Sequence, residues 1–493
     1  MRNILYICFL SFFLFGWGVQ GQAKKKDKKE TLTAYQKLFK GKQVKTAHGL
    51  MTVHKIRDKV LVEFPIKLLG KDMMLTSSIE NISDNGEGVV GQFAGYGLPF
   101  CFTRLDSTLQ ARIFLIDKPL NNSLETNWNE AIERSNAGGV YGTFKIKAYT
   151  PDSTAVVVDM TPLFMEYSPY TTPFTAIGGN SFFGLISREH EYKKECSMLK
   201  DVDAFDNNIM VTCELGFVEN QYLFGAFKVI PGDVKVSVTT NKMLMLLPEE
   251  PMRPRLADPR LGVSFMEVSQ VENDRKGLKS TFYTKRWRVE PVDEAAHRRG
   301  EMVEVKKPIV FYMDTLMPKE WQPYIKEGIE AWNEAFEKIG FKDVVRVMDF
   351  PKDDPDFNAN NIKYSTIRYA PLWLDMQNSM HVDPRTGEIL NASLYIYDGL
   401  VSGLKTNRML TTMATDPSVR TTRFSEEMIG ELIRVEIMRE AGINLGLVYN
   451  AGASAVYPVD SLRSPSFTRE HGLSPSVMDY VPCNYIAQPW KRV

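Results

Sequence analysis

The chain has 493 residues, 44% of them hydrophobic and 24% charged, with a formal net charge of zero. It is longer than one ordinary domain, and its composition is that of a globular protein. The balanced charge gives no global reason to expect nucleic acid as a partner.

Arg2 precedes an apolar run from Ile4 to Trp17, and small and polar residues follow from Gly18 to Ala23. This is the order of a secretory signal peptide over 1–23, with cleavage expected after Ala23. The run is shorter than the roughly 20 apolar residues that span a bilayer, and no later stretch reaches that length. The mature chain is therefore expected to be exported, to a periplasm, a cell surface or the medium, with no transmembrane segment. Lys24 to Lys29 read as a solvated part of a basic, polar linker over 24–44.

Export permits oxidation of the mature cysteines, Cys101, Cys196, Cys213 and Cys483. None lies in a CxxC or Cys/His cluster, so free thiols or one disulfide are expected rather than a cysteine metal site. Cys196 and Cys213 could bridge neighbouring strands, but sequence does not fix the pairing.

A small β-rich region is expected over 45–100 and a larger β-rich one over 101–305. Val60 to Ile66, Ala111 to Ile116 and Thr154 to Met160 are β-branched or aromatic runs bounded by turn formers. Val234 to Thr240 alternates like a half-buried strand. Thr171 to Gly184 reads as loop. Residues 248–262, PEEPMRPRLADPRLG, are too rich in proline for a helix. A rigid extended connector is the preferred reading, and a strap against the next domain is the other.

From about 306 the pattern changes to α/β. Ile309 to Met313 predicts a buried strand, and Pro318 or Pro323 opens a helix. Its apolar face is Trp321, Ile325, Ile329, Trp332, Phe336 and Ile339, and Gly340 ends it. VVRVMDF and YSTIRYA follow as strands, then the turn DPRTGE at 383–388 and the strand ILNASLYIY. Ser425 caps a second long helix, with Glu426 and Glu427 in its first turn.

That helix runs into REAGINLGLVYN at 439–450. The long zincin motif is HExxHxxGxxHN, in which three histidines hold Zn²⁺ and the Glu acts on bound water. Glu440, Gly446 and Asn450 match, whereas the histidine positions carry Arg439, Ile443 and Tyr449. SVMDY at 476–480 looks like the Met-turn beneath such a metal, with Met478 as its methionine.

On these motifs, and on PMRPRLADPRLG, YIKEGIEAWNEAFEKIGF, DDPDF, VDPRTGEIL, REHGLSPSVMDY and NYIAQP, the chain resembles exported bacterial zinc-dependent metalloproteases. Those have a met-zincin-type catalytic domain behind two N-terminal accessory regions of uncharacterised function. The resemblance implies an α+β fold: a β-rich N-terminal half, then a zincin-like α/β domain over 306–493 with a mixed sheet and two long helices. It places the family's zinc ligands at Arg439, Ile443 and Tyr449 and its general base at Glu440. Family members continue beyond the NYxAQP segment, so a C-terminally short domain is expected.

Arginine offers no lone pair and isoleucine only hydrocarbon, and a tyrosine alone cannot replace three ligands. No cofactor is therefore expected, although the family uses zinc. Glu440 becomes a vestigial base or a mere helix-face carboxylate. Arg439 is expected to replace part of the metal's charge, near Glu436, and Ile443 to fill its volume; the alternative is an Arg439 turned to solvent. His471, just before the Met-turn, is read as a structural or substrate-side residue, and both it and His381, near a turn, as surface or loop histidines rather than ligands. The functional expectation is a degenerate, catalytically inactive relative, a pseudoenzyme that could hold a peptide or protein in the old cleft or along an edge strand at ILNASLYIY. The alternatives are an active zinc endopeptidase with a non-standard ligand set, such as His471, Tyr449 and Glu440, and a truncated product without function.

Overall fold

The computed structural model describes residues 32–487 except 87, 94–96, 114–133, 136–137, 175–185, 225–226, 272–277 and 355–356. The signal peptide expected over 1–23 and most of the expected Thr171–Gly184 loop lie outside the described residues.

Along Leu98–Leu105, Leu98, Phe100 and Phe102 are buried and the residues between them less so. That two-residue period puts one face of a strand on a core. An antiparallel sheet of eleven strands results, from Lys45–Ala47 to Phe227–Leu246. The expected runs appear in it as Lys59–Pro65, Thr108–Ile113 and Ala155–Asp159, and Val234 to Thr240 falls inside its last strand. The sheet curls until its edge strands meet, with Lys45 Nζ 2.6 Å from Asp201 Oδ1. Phe64, Phe100, Phe102 and Phe144 fill the interior.

One short helix, Thr161–Met165, enters this core. Its last carbonyls have no partner within the helix. Side chains from the sheet supply donors: Cys213 Sγ to Phe164 O at 3.7 Å, Tyr192 OH to Met165 O at 2.6 Å, and Lys242 Nζ to Glu166 O at 3.5 Å. Burial pushes the Lys242 ammonium down to about 8 and the Cys213 thiol up to about 11. Cys196, Cys213 and Cys483 are free thiols, so no disulfide joins Cys196 to Cys213.

The second sheet has five strands in the order Val345–Asp349, Ile309–Met313, Ser365–Ala370, Ile389–Tyr397, Met376–Val382. The first four are parallel and the last antiparallel. ILNASLYIY is thus an inner strand, which corrects the expectation that it forms the free edge. Its near-continuous burial shows why: both of its faces are covered. The edge is Met376–Val382, a strand the sequence reading did not single out.

Two helical segments cover one face. The expected first helix is divided into Gln322–Glu330 and Asn333–Glu337, and Trp332 between them donates Nε1 to Met438 O at 2.8 Å. Gly328 lets it sit against the long helix Glu426–Asn444, because a Cβ there would lie 2.6 Å from Arg434 O. The β-rich half covers the opposite face. Ser379 donates to Gly91 O at 2.7 Å, Tyr397 to Val90 O at 2.8 Å, and Thr76 bonds His381 Nε2 at 2.6 Å. Arg385 binds Asp383 with two nitrogens and reaches both Asp72 and Pro248 O.

Residues 248–264 run along the second domain as the strap, which corrects the preference for a plain connector. Ser264 N donates to Gly446 O at 2.7 Å, Val448 N to Gly262 O at 3.0 Å, and Val263 bridges Leu447. Among the described residues no helix is long and apolar enough to cross a membrane.

A candidate active-site cleft

Ser425 Oγ accepts from Met428 N and fixes the start of the long helix, with Glu426 and Glu427 at its positive end. Its other end is a Schellman turn: Leu447 N bonds Gly442 O and Gly446 N bonds Ile443 O. Gly446 has φ +98, and a Cβ there would meet Lys285 O at 2.4 Å. Only glycine suits both demands. Trp287 Nε1 takes the Asn444 carbonyl at 2.9 Å. The chain then reverses, and the strap holds it as it carries Tyr449 back over the helix.

Tyr449 OH donates to Glu440 Oε1 at 2.9 Å. Asn378, on the edge strand, donates Nδ2 to Glu440 Oε2. Both carboxylate oxygens are therefore engaged, and Glu440 is buried. Arg439 is only 6% exposed, which excludes the solvent-facing alternative. It pairs with Glu436 one turn earlier, and its guanidinium lies 4.7 Å from the ring centre of Tyr480. Burial raises the Glu436 carboxyl, and the Arg439 charge opposes that shift. Burial and the bond to Glu440 push the Tyr449 phenol up to about 12. Ile443, one turn after Arg439 and Glu440, is half-buried.

SVMDY does lie beneath the helix. Met478 is buried, and a Cβ on Gly442 would meet its sulfur at 2.4 Å. Asn450 N donates to Met478 O at 2.9 Å, tying the two motifs together. Asp479 holds the turn by accepting from Ser454 N and Ser474 Oγ.

The structure thus brings together Arg439, Glu440, Tyr449 and Met478. It does not bring in His381, which corrects the surface or loop reading of that residue. His381 is buried on the edge strand, faces the β-rich half, and packs on Phe93 with ring centres 3.9 Å apart. Burial lowers it to about 3. His471 is exposed beside Phe467 and Glu470. Asn378 and Tyr480 were missed. Tyr480 is in the recognised SVMDY fragment, whereas nothing near Asn378 in the sequence marks it.

Residues 421–493 match a family model described as Met-zincin. Residues 32–82 and 107–292 match two domains of unknown function, DUF5118 and DUF5117. No curated protein and no solved structure matches the chain. The C-terminal part is thus of the met-zincin type, metalloprotease-like by family, and the whole is α+β with a β-rich N-terminal half.

The family implies a catalytic zinc, and the residues expected at its place do not fit one. Arg439 has no lone pair and is already paired, and Ile443 has no donor. Tyr449 keeps its proton at neutral pH and spends it on Glu440. Among the described residues no three His, Cys, Asp or Glu side chains gather to hold a metal.

Proposed function

We propose that this chain is an exported, catalytically degenerate relative of the metalloproteases, whose cleft binds an extended polypeptide without cutting it. The observation that carries the reading is the closed network at the old metal place. Arg439 is balanced by Glu436, and the Glu440 carboxylate accepts from Tyr449 and Asn378. A zinc-bound water would have a pKa near 7, whereas a carboxylate facing ordinary water has no such help. Arg439 supplies a fixed charge inside the fold in place of the ion, so the helix and the Met-turn stand without metal.

Binding is supported by Met376–Val382, which pairs with Ile389–Tyr397 along one side and ends the sheet beside Glu440. Such an edge adds a strand through main-chain hydrogen bonds. The region before the β-rich half, residues 1–23, is the export signal in this reading.

The test is to restore histidine at 439, 443 and 449 together. The triple variant is expected to take up one zinc per chain, and the wild type none under the same conditions. Casein cleavage by the wild type, abolished by a chelator, would overturn the proposal.

A further inference from the structure

An open pocket of about 470 Å³ lies beside the cleft, at the start of the edge strand. Its walls are Trp373, Asp375 and Leu410, and its floor is the helix Gly399–Thr412 at Gly399, Gly403 and Thr406. Trp373 is 90% exposed and Leu410 68%. The two side chains give the pocket an apolar rim open to water beside the Asp375 carboxylate.

The segment carrying Trp373 is well held. Gly399 N donates to Leu372 O at 3.0 Å and Tyr397 N to Asp375 O at 3.1 Å. The two glycines bring helix and turn together: a Cβ on Gly399 would lie 2.5 Å from Leu374 O, and one on Gly403 3.3 Å from Asp375 Oδ1. The Asp375 carboxylate therefore sits over the floor. Among the described residues it has no cationic partner.

Two links join the pocket to the cleft. Asn407, on the same helix, donates to the Tyr480 hydroxyl, and Tyr480 carries Arg439 on its face. Asp375 also lies close enough to Glu436 to raise that carboxyl. Along the chain, Asp375 stands three residues before Asn378, a distance of about 10 Å in an extended strand.

We infer that this pocket is a subsite for a basic side chain, arginine or lysine, of the polypeptide held along Met376–Val382. The aliphatic stem would lie on Trp373 and Leu410, the cation would meet Asp375, and the indole face adds to the attraction. The bound residue would sit about three positions from the one facing Glu440. The inference rests on the cleft-binding reading above and adds to it the charge and place of one recognised side chain.

The probes are acetyl-Ala-Ala-Ala-Arg-Ala-Ala-amide and the same peptide with citrulline, which keeps the shape and removes the charge. Binding to the full mature chain is measured by calorimetry. The arginine peptide is expected to bind about tenfold more tightly. Asp375→Asn should remove that preference, and Trp373→Ala should weaken both peptides. Equal affinity of the two peptides for the wild type, or a preference that survives Asp375→Asn, overturns the subsite and leaves peptide binding standing. Absence of binding by either peptide overturns the cleft reading and the subsite with it.

Discussion

The phenol of Tyr449 donates to Glu440 Oε1 at 2.9 Å, across the turn made at Gly446. The residue expected at a family ligand position thus hydrogen-bonds the one expected at its general-base position. Tyr449→Phe should leave one oxygen of a buried carboxylate without its donor. The expected loss is about 1–2 kcal/mol. A lower denaturant midpoint with an unchanged slope would show it.

Arg439 and Glu436 form a buried pair, with side chains 7% and 17% exposed. Removing one partner strands the other. Arg439→Met should cost about 3 kcal/mol, and Arg439→Met with Glu436→Gln clearly less than the sum of the single changes. Additive losses in a double-mutant cycle would mean the pair is not coupled.

His381 is held at about 3 by burial between the two halves. The unfolded chain takes up a proton near pH 6.5, well before the folded one does. Stability is therefore full above pH 6.5 and falls as pH drops towards 3. Between pH 6.5 and 4.5 the wild type should lose about 2–3 kcal/mol more than His381→Gln, read from denaturation midpoints at both pH values.

Lys242 lies inside the sheet with its value lowered to about 8. The unfolded chain keeps that proton to higher pH, so this group makes stability rise between pH 8 and about 10.5. The raised Cys213 thiol acts the other way above about pH 9. Comparison with Lys242→Met cancels the thiol. The wild type should gain about 1 kcal/mol on the variant between pH 8 and 9.

Gly446→Ala meets both a left-handed backbone and the Lys285 carbonyl. A loss of about 2 kcal/mol or more is expected, with the strap contacts to Gly262 and Ser264 loosened. Faster hydrogen exchange at Ser264 and Val448 would report it.

Much of the fold was legible because its signals are local. Ser425 capped the helix that was expected, Ile309 to Met313 formed the strand, and SVMDY lay under Gly442. The order of strands was not legible. ILNASLYIY reads as an edge strand, and only its neighbours reveal that it lies inside the sheet with both faces covered. Asn378, from the edge strand, reaches Glu440 across 62 residues, a contact no spacing announces. His381 looked like a loop residue because its partner, Thr76, lies in the other half of the chain. The strap was ambiguous for the same reason: proline excluded a helix, and only Gly446 and Val448 show what it lies against.

The central claim is that Arg439, Ile443 and Tyr449 cannot hold a catalytic ion. Metal analysis by mass spectrometry on the folded wild-type chain, purified without chelator and dialysed against trace zinc, tests it most directly. The account predicts no stoichiometric zinc or other transition metal. One tightly held ion per chain, together with peptide cleavage that a chelator abolishes, would contradict it.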